Sequence, residues 1–296
     1  MKTDARCAAC VLAEADGAGK AAGGKAAGAI ASQGKAYVDA GLDLTKTPSV
    51  HLTAVHRAAL QLAGKPPFEA ARAVMRDAAI RLVQHAEREM AGASDPAARF
   101  AIASRWAAAA THLDPRAAGL GSAIKDADAL AEEVRRIAAG PLAVDDTSEA
   151  FDLLRKARNV LFIHDGVGEL SLDRLLITEI LKHARRVFSA AAGAPLAGRA
   201  TSDDLHRVGL AEVATEIISV GRGEIGLVWE EASPEVKGKL EIVDLVIAKG
   251  QANVYALHER EKEILKPMLC LFRTMCDPVA EVFGGKGRLT ILKLWK

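Results

Sequence analysis

Apolar positions keep a helical rhythm through the first 140 residues and a strand rhythm after them. In Val50 to Leu62, Phe68 to Met90, Pro96 to Thr111 and Ile124 to Ala138, apolar residues recur three and four apart between Pro, Gly, Ser and Asp boundaries, which predicts four helices. Beyond Gly140 and Pro141, short β-branched runs alternate with helical patterns. The runs are Val160 to Ile163, Arg186 to Ala191, Glu216 to Val220, Val243 to Ala248, Met268 to Phe272 and Leu289 to Leu294. Such alternation predicts α/β structure with a largely parallel sheet. The expected organisation is a helical N-terminal domain, residues 1–140, packed on a C-terminal α/β/α domain, residues 141–296, with Asp145, Asp146 and Thr147 capping the helix that joins them.

Two of the strand runs end on chemistry. Asn159 to Ile163 empties into His164, Asp165 and Gly166, followed by a turn with Glu169 and a Leu/Ile-rich helical pattern. Ligands of open parallel sheets bind beyond the carboxyl ends of the strands, which is where Asp165 falls. Asp at a strand-to-helix junction also serves as an ordinary helix cap, and Asp173 is either the cap of a helix beginning near Arg174 or a group supporting the site. Ile242 to Ala248 empties in the same way into Lys249, Gly250, Gln251, Ala252 and Asn253. A carboxylate and an ammonium at neighbouring strand tips suit a phosphorylated ligand with a metal ion. Gly221, Arg222, Gly223 and Gly226 form a loop after the Glu216 to Val220 run. Its backbone amides either meet an anion or simply turn the chain. His164, beside Asp165, is the histidine worth testing, although strand alternation points it to the opposite face.

Composition narrows the classes. With 296 residues, half of them apolar, the chain can bury a substantial core. The net charge is +1 and no basic stripe with interleaved aromatics occurs, which argues against nucleic acid. No apolar run approaches membrane-spanning length, and Cys7 to Ala13 is too short and too soon followed by Glu14 and Asp16 for a signal segment, so a cytoplasmic location is expected. The tract from Gly17 to Gly28 approximates a phosphate loop at Gly19 to Lys25. It lacks the following hydroxyl, because Ala26 stands there, and no strand precedes it; a flexible, solvated segment is expected. Of Cys7, Cys10, Cys270 and Cys276, three could meet one metal only if the N-terminus folds back on the sheet; reduced structural thiols are the expectation.

Four blocks together resemble a known family. Asp145 to Leu181 (DDTSEAFDLLRKARNVLFIHDGVGELSLDRLLITEIL), Gly193 to Leu205 (GAPLAGRATSDDL), Val243 to Asn253 (VDLVIAKGQAN) and Met275 to Gly284 (MCDPVAEVFG) look like successive motifs of the metal-dependent damage-control phosphatases. That family shares the acidic-residue-methyltransferase-1-like domain, long listed as domain of unknown function 89. The resemblance covers the C-terminal half, and Cys7-Ala-Ala-Cys10 resembles the cysteine pair opening many prokaryotic members. It implies a Rossmann-like α/β/α domain, a small phosphorylated metabolite as ligand, and a divalent cation such as Mn, Co, Ni or Mg. It also implies Asp165 as metal ligand, Asp165 and Glu169 as catalytic groups, and Lys249, Asn253, Arg199, Gly221 and Gly223 on the substrate side.

The departures bear on the metal. The family's Asp-Asn ligand pair is Asp165 and Gly166 here, and its third ligand, an Asp, falls in the block where this chain has Arg199. The Glu expected two residues after Asn253 is Tyr255. Hard divalent cations need several oxygen ligands, and Arg199 brings positive charge to the position. The resemblance therefore implies either a phosphatase with a weakened metal site or a descendant that keeps the phosphometabolite pocket and has lost the metal.

Overall fold

The computed structural model describes residues 1–116 and 126–296. Among these residues, thirteen helices surround one sheet of seven strands. The N-terminal helices are α1 (Cys7–Ala22), α2 (Gly24–Asp39), α3 (Pro48–Ala63), α4 (Glu69–Ala91), α5 (Pro96–Ala109) and α6 (Ala127–Ala138). The four expected helices are thus α3 to α6, and the expected start of the last, Ile124, lies outside the described residues. Capping explains several boundaries: Asp95 accepts from the Ala98 amide ahead of Pro96, and Asp126 accepts from Ala129.

The Ala/Gly tract corrects the expectation of a flexible, solvated segment. Gly17 to Gly28 forms the end of α1, a turn at Gly23 and Gly24, and the start of α2. The physical reason is close helix packing: a Cβ on Gly34 would lie 2.1 Å from the Cβ of Ala15, so only small residues let the two backbones approach this far. His56 on α3 meets the buried Glu14 of α1 at 2.6 Å and fastens the pair to the rest. The N-terminus also folds back, its amino group donating to the Tyr255 carbonyl at 2.6 Å.

The strands are β1 (Val144–Asp145), β2 (Asn159–Ile163), β3 (Arg186–Ala191), β4 (Glu216–Ser219), β5 (Leu245–Lys249), β6 (Met268–Arg273) and β7 (Thr290–Trp295). The intervening helices are α7 (Thr147–Leu154), α8 (Leu170–Ile180), α9 (Ser202–Arg207), α10 (Pro234–Ile242), α11 (Gly250–His258), α12 (Glu261–Ile264) and α13 (Asp277–Val282). All six predicted strand runs are strands. The two-residue β1 was not anticipated, since two residues carry no period; Asp145 accepts the Thr147 amide just before α7. Strand order is β1-β7-β6-β5-β2-β3-β4, parallel throughout except where β6 meets β7.

Both faces of the central strands are buried, each against its own core. Leu161 and Ile163 of β2 pack into one core with Val11, Leu52 and Met75 of the N-terminal helices, and Val160 and Phe162 pack into a second with Phe100, Phe151, Leu176 and Ile177. Both apolar cores therefore run without interruption from the N-terminal helices into the sheet. β2 and β5 lie side by side at the centre, buried on both faces, so that their carboxyl ends open into one rim. No helix among the described residues is long and apolar enough to cross a membrane.

Candidate active site at the ends of β2 and β5

Asp165 leaves β2 two residues past its last rung, and the chain returns to it through a second segment. The Ala200 amide donates to the Asp165 carbonyl at 2.8 Å, the Val167 amide donates to the Gly198 carbonyl at 2.8 Å, and Gly166 and Arg199 form an antiparallel bridge. This pairing sets Arg199 beside Asp165, and Arg199 Nη1 donates to Asp165 Oδ1. The two side chains are 1% and 4% exposed. The far oxygen of Asp165 rests against the turn into α11. Gly250 there has φ +75°, and a Cβ on it would lie 1.7 Å from Asp165 Oδ2. Both conformation and space demand glycine at that point.

A second guanidinium faces the same carboxylate. Arg116 Nη2 lies 3.8 Å from Asp165 Oδ2, and Arg116 is itself held by Asp114 at 2.9 and 3.0 Å. Burial opposes the charge on Arg116, but Asp114 and Asp165 outweigh it and raise its pKa. Burial likewise works against the Asp114 carboxylate, and Arg116 nevertheless holds it below its ordinary value. The sequence reading missed this pair; Asp-Pro-Arg after an Ala-rich helix was the available signal. Arg72 closes the back, donating to the Arg199 carbonyl and to Asp204 Oδ2, both at 2.5 Å. Asp204 also completes a capping box with Thr201 at the start of α9.

Lys249 belongs to a neighbouring, wholly buried cluster. Its Nζ donates to Glu169 Oε2 at 2.6 Å and Asp173 Oδ1 at 2.5 Å, and all three side chains are inaccessible. Glu169 Oε1 accepts the Gly166 amide at 2.8 Å, which links this cluster to the Asp165 turn. Asp173 is therefore not the cap of a helix starting at Arg174. It lies one turn inside α8, because the helix begins earlier, and its carboxylate serves Lys249 and His164. His164 meets Asp173 through Nδ1 at 2.9 Å and stacks against Phe162. Burial, partly opposed by Asp173, lowers its pKa, so the ring is neutral at pH 7 and its Nδ1 proton goes to the carboxylate. One ammonium needs one carboxylate for neutrality, yet two are present. Burial, aided by the charges of Asp165 and Asp173, pushes Glu169 up to about 8 against the pull of Lys249. Burial would lower the pKa of Lys249, but Asp173 and Glu169 more than offset it.

The remaining expected site residues have internal partners. Asn253 Nδ2 donates to the carbonyls of His164 and Lys249, at 3.1 and 2.8 Å, stapling the ends of β2 and β5; its Oδ1 has no partner among the described residues. In the Gly221 to Gly226 loop, the amides of Arg222 and Gly223 donate to the buried Glu224 carboxylate at 2.8 and 3.2 Å, and Arg57 pairs with it at 3.1 Å. An internal carboxylate thus takes the amides that were expected to turn the chain or to meet an external anion. Cys7, Cys10 and Cys276 do share the lining of one cavity of about 270 Å³, with Gln251 and Tyr255. All four cysteines are free thiols, and no group of three or more His, Cys, Asp or Glu among the described residues could hold a metal ion.

A mostly parallel sheet with acidic and basic side chains converging on the rim of its central strands defines an α/β protein with these groups where open parallel sheets bind their ligands. Residues 3–290 match the damage-control phosphatase ARMT1-like domain, and the chain belongs to that family. A damage-control phosphatase of Archaeoglobus fulgidus is 32% identical over 143 residues, which are 48% of this chain and 48% of that protein. One of Pyrococcus horikoshii is 32% identical over 166 residues, 55% of this chain and 56% of that protein. An uncharacterized protein of Methanocaldococcus jannaschii is 34% identical over 147 residues, 49% and 48% of the two chains. The chain therefore matches about half the length of these curated relatives. The crystal structure of a DUF89 family protein from Pyrococcus horikoshii superposes with a TM-score of 0.85 over 100% of both chains at 22% identity, which establishes the fold.

Two expectations follow. Lys249 stands at a strand tip, as expected, but its side chain is completely buried. Lys249→Met leaves the Asp173 carboxylate without its cation and Glu169 without its donor in the core, and should cost about 3–5 kcal/mol by chemical denaturation; a loss under about 1 kcal/mol would contradict the described pairing. For Glu169, the folded pKa of about 8 stands above the ordinary 4.5, so its contribution to stability is complete below pH 4.5 and lost as pH rises through 8. The difference in Tm between wild type and Glu169→Gln should narrow steadily from pH 5 to pH 8. A constant or widening difference would show that Glu169 is ionised throughout.

Proposed function

We propose that the chain is a divergent damage-control-phosphatase-like protein that binds a small phosphorylated metabolite at the rim of β2 and β5, with guanidinium groups in the place of the family's divalent cation. The observation that carries this reading is the state of Arg199. One of its nitrogens is paired with Asp165, while Nε and Nη2 are buried with no hydrogen-bond partner among the described residues. A buried donor left unmade costs about 1–3 kcal/mol, and a phosphoryl oxygen is the acceptor whose geometry suits two nitrogens of one guanidinium.

The donor set does not fit Mn, Co, Ni or Mg. Each takes several oxygen ligands at short range. Asp165, the family ligand that remains, is engaged by Arg199 with Arg116 close by. Gly166 offers no donor, and a side chain there would start 2.8 Å from Glu169 Oε1. Glu169 is engaged by Lys249. The unpartnered Oδ1 of Asn253 is one neutral oxygen, and the two guanidinium groups beside Asp165 repel a divalent cation. Arginine can hold and polarise a phosphoryl group, but it does not generate a hydroxide nucleophile, so this arrangement favours binding over rapid hydrolysis. Lys249 then acts from behind by holding Glu169 and the Gly166 turn in place.

Calorimetric titration with a panel of sugar phosphates, in the presence of a chelator, tests the proposal. At least one ligand should bind the wild type, and both Arg199→Gln and Arg116→Gln should weaken it by about one to two orders of magnitude, the worth of one charge-assisted bond. Equal affinity in both variants, or binding that requires added manganese, would refute it.

A further inference from the structure

A second cationic cleft lies on the same edge of the sheet, two strands away from Asp165. It has a volume of about 610 Å³ and opens where β6 ends and β7 begins, roofed by the end of α6. Its charged lining is Arg136, Arg273, Arg288, His112 and Glu133. Arg273 is half-buried; its Nη1 donates to Thr290 Oγ1 at 3.2 Å, and its Nε is buried without a partner among the described residues. No ion pair is formed by Arg136, Arg273 or Arg288 among the described residues, although most other arginines around the site have carboxylate partners. Glu133 is the lining carboxylate, and its Oε2 is engaged by His112 at 3.0 Å.

We propose that this cleft is a binding site for a small molecule carrying a phosphate or diphosphate group, separate from the site at Asp165. Three guanidinium groups face one carboxylate there. Arg273 bears the consequence: burial and the charge of Arg288 both press its pKa below the ordinary value. Like charges held together at a partly buried surface repel, and a dianion removes that penalty while filling the free Nε donor. His112 is neutral at pH 7, since burial lowers its pKa, so it serves as a hydrogen-bonding group rather than a fourth charge. The volume lies in the range of small-molecule sites and leaves room for an organic part beside the phosphate. Backbone continuity ties the two sites together. The Arg273 amide donates to Thr111 Oγ1 at 2.9 Å, and the chain passes from Thr111 and His112 directly to Asp114 and Arg116 beside Asp165.

Pyrophosphate, inorganic phosphate and ribose 5-phosphate are the probes, titrated calorimetrically into the intact protein. Pyrophosphate should bind the wild type and the Arg199→Gln variant alike, and bind at least tenfold more weakly to Arg288→Glu and to Arg136→Glu, two exposed positions whose replacement leaves the core untouched. The charge-matched variant Lys25→Glu, on the exposed side of α2, should keep wild-type affinity. Tighter binding of ribose 5-phosphate than of inorganic phosphate assigns an organic ester as occupant; the reverse order assigns the free anion. Absence of pyrophosphate binding by the wild type, or equal affinity in Arg288→Glu, Arg136→Glu and Lys25→Glu, would overturn the proposal. Loss of binding in Arg199→Gln alone would instead assign the anion to the Asp165 site and likewise overturn it.

Discussion

The ion pair between Asp165 and Arg199 organises the rim of the sheet. A carboxylate this deeply buried survives only with a partner, because desolvation of a lone charge outweighs what the fold can supply. Its surroundings follow from that requirement. The segment from Gly198 to Ala200 is hydrogen-bonded along Asp165 to Val167 so that the guanidinium reaches the carboxylate, Arg72 fixes the Arg199 carbonyl from behind, and Gly250 leaves room for the second carboxylate oxygen. Arg116, itself paired with Asp114, adds a further guanidinium 3.8 Å from Asp165, so two guanidinium groups stand at the rim with carboxylates matching their charges.

Beside it, Lys249, Glu169, Asp173 and His164 form a cluster with a different task. All are inaccessible and bonded mainly to one another, and the Gly166 amide is their link to the rim. A lysine so enclosed positions the turn: two of its three donors are taken by carboxylates, and its side chain is inaccessible to an external phosphate. The two clusters divide the residues that the family resemblance singled out: Asp165 and Arg199 pair at the rim, while Lys249 and Asn253 are bonded inside and hold β2, β5 and α8 together.

Much of the fold was legible from apolar spacing, since β2 and β5 carry unbroken apolar runs, Val160 to Ile163 and Leu245 to Ala248, of a sheet buried on both faces. The Ala/Gly tract was not, because its order comes from contact between α1 and α2 that no local propensity reports. At the site, strand ends and the family blocks located Asp165, Lys249, Asn253 and Arg199. The partners of Asp165 and Arg199 were hidden for one reason: Arg116 reaches the Asp165 carboxylate across 49 residues and Arg72 the Arg199 carbonyl across 127, and sequence spacing carries no information about such approaches. The Gly221 to Gly226 loop shows the same limit, since its amides were recognised but not the Glu224 carboxylate that occupies them.

Manganese binding at Asp165 is the most direct test of the idea that Arg199 stands where the family places its cation. Anomalous diffraction from crystals soaked in manganese should show no peak beside Asp165 in the wild type, with the Asp165–Arg199 pair intact, and should show one in an Arg199→Asp variant. A full-occupancy manganese peak on the wild-type Asp165 carboxylate, with Arg199 displaced, would contradict the account.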